Sequence, residues 1–148
     1  MAPALLDQVR LLVEELAVAS KACAAAGARV AARAASCGAH RQVGYRDAEQ
    51  WLARAAGTTA ADAAAALEVV RDIDECPATK EALVSGSLSL VQAREITRTE
   101  AAARGSEAEL VAVATSCDIK SLRDKARSVR LNAVAVDRLY ARQRAARR

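Results

Sequence analysis

Residues 4–35 form the longest periodic segment of the chain and read ALLDQVRLLVEELAVASKACAAAGARVAARAA. Apolar side chains recur in it at alternating intervals of four and three residues, the heptad pattern of a helix that packs along one face. Pro3 stands just before it, a position suited to the first turn of a helix. The pattern predicts one long helix over residues 4–35. Its apolar positions, called the heptad seam below, are Leu5, Val9, Leu12, Leu16, Ala19, Cys23, Ala26 and Val30.

The heptad seam changes along its length, because large side chains at its start give way to alanine and cysteine. Two interpretations remain open at this point. The seam either packs into the core of its own chain or pairs with the seam of a second copy. The second interpretation predicts a homodimer. Its interface is then predicted at the four large residues of the seam, Leu5, Val9, Leu12 and Leu16.

Alanine dominates the composition, with 39 of 148 residues against 14 Leu, 14 Val, 3 Ile, one Trp and no Phe. A β-sandwich or barrel is excluded, because strands draw on aromatic and β-branched residues. Charged residues interrupt every apolar run before it reaches transmembrane length, so no membrane partner is expected. The sequence predicts an all-α, multi-helix bundle in a single domain over residues 1–148. It has a long N-terminal helix, a helix-turn-helix-like centre and a long basic C-terminal helix.

The centre of the chain, residues 46–74, meets the geometric demands of a helix-turn-helix after a predicted break over residues 36–44. Ala53 is small where two helices would cross, and Gly57 tolerates a left-handed turn. The outward residues of the second helix offer little to base edges, so contacts to phosphates are expected instead. The alternative is an αα-hairpin that binds no nucleic acid. The predicted phosphate contacts of this unit are Arg46, Arg54, Thr58 and Thr59.

Further helices are predicted over residues 78–116, beginning after Cys76-Pro77. Within them, Ser87 or Ser89 is expected to cap one helix. Ser106 and Glu109 have the spacing of a capping box for the next. The last helix, over residues 118–148, carries a second four-three seam: Leu122, Ala126, Val129, Ala133, Val136 and Tyr140.

Charge is concentrated at the C-terminal end. Residues 1–119 hold 12 Lys/Arg and 16 Asp/Glu, a net charge of −4, whereas residues 120–148 hold 10 Lys/Arg and 2 Asp/Glu, a net charge of +8. A basic helix of this kind binds phosphates or an acidic partner, or is simply solvated. The predicted nucleic-acid contacts on it are Lys120, Arg123, Lys125, Arg127, Arg130, Arg138, Arg142 and, at its end, Arg144.

The chain carries little catalytic or metal-binding potential. It has one His and four widely spaced Cys without a Cys-x-x-Cys pair, so zinc sites and Ser-His-Asp catalysis are not expected. No catalytic residue, metal site or cofactor is predicted. The four cysteines are interpreted as small buried residues of a reducing compartment. Acidic residues interrupt any apolar signal region near the N-terminus, so a cytoplasmic location is expected.

A set of short motifs follows one order along the chain: Tyr45, Trp51-Leu52-Ala53, Gly57, Cys76-Pro77, Leu83-x-x-Gly86-x-Leu88-Ser89-x-x-Gln92-Ala93 and Ile96. This order resembles the 13E12-repeat family, over about residues 5–140. The family's members commonly carry an HNH endonuclease module after this helical region. The same order is similar, more faintly, to the helix-turn-helix region of ParB-type partition proteins, which implies contact with DNA.

An HNH module needs at least two histidines, and His40 is the only one in the chain. No HNH module is therefore expected, and the resemblance implies either the N-terminal domain of a nuclease or a member that has lost it. The leading expectation is a non-catalytic helical domain that binds DNA and accompanies an HNH nuclease. The alternative is a homodimeric protein–protein interaction module with a basic tail.

Overall fold

The computed structural model describes residues 3–146, and the predicted all-α class is confirmed. No strand occurs in this range, and none of its helices is long and apolar enough to cross a membrane. Long helices stand at both ends, as predicted. The α-helices within this range are α1 (Pro3–Ser36), α2 (Ala39–Gln42), α3 (Ala48–Ala56), α4 (Ala60–Asp72), α5 (Pro77–Val84), α6 (Leu90–Ala102), α7 (Glu107–Ser116) and α8 (Ile119–Ala146).

Helix α1 is buried only in its second half. Every residue from Pro3 to Ser20 is exposed, and the buried residues of α1 are Ala25, Ala28 and Ala31. These three alanines lie off the heptad seam, whose members are all exposed. The interpretation of the seam as a core stripe of its own chain is therefore wrong. The physical reason is side-chain size, since alanine lets α4 approach α1 closely at these positions.

The predicted break over residues 36–44 contains one turn of helix, α2, that the sequence pattern did not indicate. Gly38 and Gly44 flank it with φ angles of 74° and 86°, so the chain reverses on both sides of α2. His40 lies in α2 and is buried, and its Nδ1 has no hydrogen-bond partner within residues 3–146.

Helices α3 and α4 form a tight hairpin. Gly57 ends α3 with a φ of 65°, and the side chain of Thr59 caps α4 by accepting a hydrogen bond from the backbone N–H of Asp62 at 3.1 Å. Helix α4 ends at Asp72, and a 3-10 turn over Ile73–Glu75 completes the segment that was predicted as helical to residue 74.

Two buried clusters hold the helices together. The first lies where α1, α4, α5 and α6 meet, and the second joins α6 and α7 to the start of α8. From Val134 onward every described residue of α8 is exposed, so this helix projects past the second cluster. The clusters consist of Ala25, Val69, Ile73, Leu83 and Ala93 in the first, and Leu88, Ile96, Leu110, Ala114, Leu122 and Ala126 in the second.

Helix α6 is capped by a residue next to it in the chain, whereas α7 is capped by a side chain from the preceding helix. Ser89 caps α6 as predicted, in a reciprocal capping box with Gln92. The predicted capping box of Ser106 with Glu109 is wrong, because the Ser106 side chain accepts no cap hydrogen bond. The carboxylate of Glu100 accepts the backbone N–H of Glu107 at 2.8 Å instead. An anion from the preceding helix thus serves the helix start better than the local hydroxyl.

Gly86 lets the turn between α5 and α6 approach α1 closely. Its φ is 78°, and a Cβ added there would lie 2.3 Å from the carbonyl oxygen of Val18. The Nζ of Lys21 donates to the carbonyl oxygen of Ser87 at 3.3 Å, on the same turn. Helix α1 is therefore held against the body from about Val18 onward, and its earlier residues project from it.

Candidate functional site

Three of the basic residues predicted to contact nucleic acid are engaged in ion pairs within the molecule. Arg123 Nε lies 3.6 Å, and Arg130 Nη1 3.8 Å, from the Glu95 carboxylate on α6. Lys125 Nζ lies 2.5 Å from the Glu109 carboxylate on α7. These pairs attach α8 to its neighbouring helices and partly neutralise three of its cations.

The other predicted cations of α8 make no ion pair among residues 3–146. Four of them are separated by seven, eleven and four residues, each close to a whole number of helical turns, so they share one face. This face extends over about 33 Å at ~1.5 Å per residue. Asp124 lies on the same face, whose net charge stays positive because four cations outnumber one carboxylate. The four residues, called the cationic row below, are Lys120, Arg127, Arg138 and Arg142.

Arg46 and Arg54, the basic residues predicted at the helix-turn-helix-like unit, are exposed. Neither makes an ion pair within the described part of the chain. Helix α3 packs on α1 and α4, whereas α8 packs on α6 and α7. The two predicted groups of phosphate contacts are thus carried by different helix pairs.

The hydroxyls of Thr58 and Thr59 both donate to the carboxylate of Asp62, at 3.1 and 2.7 Å. The hydrogen bonds from Thr59 and then from Thr58 lower the pKa of Asp62 below its ordinary value. An ionised carboxylate therefore stands at the start of α4, where a phosphate contact was predicted. It occupies the two hydroxyl donors and repels anions, which weakens this end of the helix as a phosphate site.

The outward face of α4 offers little chemistry to a base edge. Its exposed residues are alanines, together with Asp62 and Arg71. The Nε of Arg71 donates to Asp72 at 3.0 Å, so its charge is also shared within the chain. The opposite side of α4 packs on α1 and α6. Direct readout of sequence through this helix has few candidate side chains.

The first half of α1 presents large apolar side chains to solvent. Leu12, Val13 and Leu16 are 57%, 62% and 68% exposed, and Leu5 and Val9 are about half exposed. Exposed apolar patches of this extent on soluble proteins mark contacts with other molecules. The predicted interface residues therefore lie together on one exposed face.

An apolar groove continues this face along the second half of α1. It has a volume of about 880 Å³ and lies between α1, α3, α4 and the start of α6. Its floor includes seam positions of α1, and its walls are mainly alanines of α3 and α4. Four charged residues, Asp62, Arg94, Glu95 and Arg123, also line it. The residues that carry the argument below are Cys23, Ala26, Gly27, Val30, Trp51 and Leu52.

Sequence reasoning found the seam but missed the groove. Gly27 and Trp51 are its distinguishing residues, and neither was predicted as part of a site. Gly27 interrupts an alanine tract in the interior of a helix, where glycine lowers helix stability by about 0.5–1 kcal/mol relative to alanine. That exception was a signal available in the sequence.

The interpretation of all four cysteines as buried residues is wrong, because only Cys76 is buried and the other three are exposed. Cys23 lies on an exposed face of α1, whereas Cys37 and Cys117 directly follow the ends of α1 and α7. No group of three or more His, Cys, Asp or Glu within residues 3–146 could hold a metal ion.

The chain matches no protein-family model, no curated protein and no solved structure. The resemblance to the 13E12-repeat family therefore stays a prediction, supported by the motifs that suggested it.

Proposed function

We propose that this chain is a non-catalytic DNA-binding domain that contacts the phosphate backbone through α8. The single observation that carries the proposal is the cationic row, whose four side chains share one exposed face without a partner in the described chain. Positively charged residues in a line suit a polyanion, because each neutralised phosphate releases bound counterions.

The length of the row supports the same proposal. It extends over about 33 Å, close to the ~34 Å of one turn of B-DNA. Binding of this kind positions a protein on DNA with little sequence preference, since phosphates are the same at every base pair. The 13E12-like motifs add the proposal that such a domain guides an HNH nuclease module.

A salt titration with two matched variants tests the proposal. The row variant changes Lys120, Arg127 and Arg138 to Gln, and the control variant changes Arg123, Lys125 and Arg130 to Gln. Each removes three positive charges from α8, but only the first removes unpaired ones. The slope of log K against log [salt] is expected to flatten by roughly 2.7 in the row variant, at ~0.9 per phosphate contact.

The control variant is expected to change that slope by less than ~1, the value of a single contact. Its ion pairs hold α8 in place, so a thermal melt should accompany the titration to separate lost folding from lost binding. Equal slopes for the two variants, or no binding by the parent chain at low salt, would refute the proposal.

A second candidate function is protein association through α1, and the exposure of the entire heptad seam favours it. Burying a Leu or Val side chain from water contributes about 1.5–3 kcal/mol, which makes a solvated face of this size unfavourable. Changing Leu12 and Leu16 to Asp is expected to abolish self-association in light scattering. A monomeric parent chain at high concentration would refute this candidate.

A further inference from the structure

We propose that the groove beside α1 holds the first half of α1 from a second copy of this chain, in an antiparallel pair of helices. This inference rests on the second candidate function, protein association through α1. It names the partner, its direction and the surface that receives it.

The first argument is the taper of the seam. All four seam residues before residue 17 are large, whereas three of the four after residue 18 are small and only Val30 is large. Antiparallel pairing about a two-fold axis at that point places every large residue against a smaller or β-branched one, whereas parallel pairing would stack large on large and leave small facing small. The antiparallel pairs are Leu5 with Val30, Val9 with Ala26, Leu12 with Cys23, and Leu16 with Ala19 of the second copy.

The second argument is the continuity of the surface. Cys23, Ala26 and Val30 are seam positions that also line the groove. A helix that pairs with the seam must therefore enter the groove between α1 and α3. Trp51 and Leu52 would then cover its outer side, so the groove supplies contacts that two isolated helices would lack.

Gly27 gives an independent argument. A Cβ added at Gly27 meets no atom of residues 3–146 within 4 Å, so no close contact in this range requires glycine there. Glycine is favoured where another backbone approaches closely. In the antiparallel pair, Leu6 of the second copy flanks the seam opposite Gly27, and the missing side chain makes room for it.

The exposed area of the chain agrees with a missing partner. A compact monomer of 15.5 kDa exposes roughly 7,200 Å², whereas this chain exposes 9998 Å². The excess of about 2,800 Å² is well above the ~800 Å² that each partner buries in a standard interface. The projecting end of α8 and the first half of α1, whose described residues are all exposed, both contribute to it.

Sedimentation equilibrium of the full chain tests the inference with three variants. Leu12→Asp is expected to weaken self-association at least tenfold. Leu11→Asp is its matched control, because Leu11 is similarly exposed, at 50% against 57%, but lies outside the heptad seam, about 100° around the same helix from Leu12. Gly27→Leu is expected to weaken association at least tenfold without lowering the melting temperature of the dilute chain, because leucine is the better helix former.

Disulfide trapping tests the direction of the pair. In a chain with Cys37 and Cys117 changed to Ser, a Leu12→Cys substitution is expected to form a disulfide with Cys23 of the second copy. A Leu11→Cys substitution in the same background should form none. Fluorescence of Trp51, the one tryptophan, reports the groove itself, and its emission should shift to the blue as the chain associates.

The outcomes separate the two levels of the proposal. A parent chain that stays monomeric overturns both the association function and this inference. A dimer that persists in Gly27→Leu, or that forms a disulfide between the two copies of Cys23, overturns the antiparallel docking but leaves association standing.

Discussion

The carboxylate of Glu107, the first residue of α7, accepts two hydrogen bonds from Thr79 in the first turn of α5. The backbone N–H of Thr79 lies 2.7 Å away and its hydroxyl 2.9 Å away. Thr79 is fully buried, so neither donor has water as a substitute. Glu107 therefore serves as the N-terminal cap of a helix that precedes it by 28 positions.

Replacing Glu107 by Ala is expected to lower the free energy of unfolding by about 1–3 kcal/mol, because it leaves two buried donors of Thr79 unsatisfied. Urea denaturation measures the change. Glu109→Ala is the control on the same helix, since it removes only an exposed ion pair with Lys125 and should cost less than ~1 kcal/mol. Equal losses in the two variants would contradict the capping role.

Glu100 is expected to make stability depend on pH in the acid range. Desolvation acts to raise the pKa of Glu100, but hydrogen bonds from Gly105, Glu107 and Ser106 outweigh it and hold the pKa below its ordinary value. A carboxyl with a lowered pKa in the folded state stabilises the fold above its unfolded pKa of ~4.3, and the stabilisation is lost as the pH falls through the folded pKa.

The corresponding measurement is urea denaturation at a series of pH values from neutral into the acid range. Glu100→Gln is expected to lower stability at neutral pH and to flatten its decline with acid. Glu81→Gln, at an exposed carboxylate without a side-chain hydrogen bond in the described chain, should leave the profile unchanged. A decline as steep in Glu100→Gln as in the parent would count against this prediction.

Gly86→Ala is expected to destabilise the chain more than Gly105→Ala. Both glycines have positive φ angles, 78° and 90°, so each substitution strains the backbone by about 1–2 kcal/mol. Only at Gly86 would the new Cβ collide with Val18, which adds about 1–3 kcal/mol of overpacking. Thermal denaturation of the two variants gives the difference, and equal melting temperatures would contradict the close approach of α1.

The thiol of Cys76 is expected to react far more slowly than the other three. Desolvation, followed by the nearby carboxylate of Glu107, raises the pKa of Cys76 to about 11, so little thiolate exists at neutral pH. In dilute solution, where no second copy covers Cys23, an alkylating reagent with mass detection should modify Cys23, Cys37 and Cys117 first and Cys76 only on unfolding. Cys76→Ala should remove the slow phase alone. Modification of all four thiols at one rate would refute the prediction.

The helices of this chain could be predicted from local signals, and the side of α1 that is buried could not. The four-three spacing and the caps at Pro3, Gly57 and Ser89 act within a few residues, so they are legible in the sequence. Alanine is small and only weakly hydrophobic, so an alanine-rich helix has no apolar periodicity that indicates which face contacts α4. The burial of the face that contains Ala25 could therefore not be predicted, because the larger residues of the seam dominated the sequence pattern.

The sequence predicted which basic residues α8 contains, but not which of them form ion pairs with other helices. The basic residues of α8 are plain in the sequence, whereas the engagement of Arg123 and Arg130 depends on where α6 places Glu95. Such tertiary partners also explain why Glu100 displaced the predicted capping box at Ser106. Spacing along one helix places the members of the cationic row on one face, whereas the pairing of Arg123 and Arg130 follows from the position of α6.

The attachment of α1 at Val18 has a consequence for how the chain melts. The residues before it receive no tertiary support, and a helix of about 15 residues without such support is marginal in water. Heating a dilute solution is expected to remove ellipticity in two stages, first a gradual helix–coil transition of this segment and then the cooperative unfolding of the body. Association would bury this segment, so the ellipticity lost in the first stage should decrease as the chain concentration rises. The helical content at a given temperature would then report the concentration of the chain.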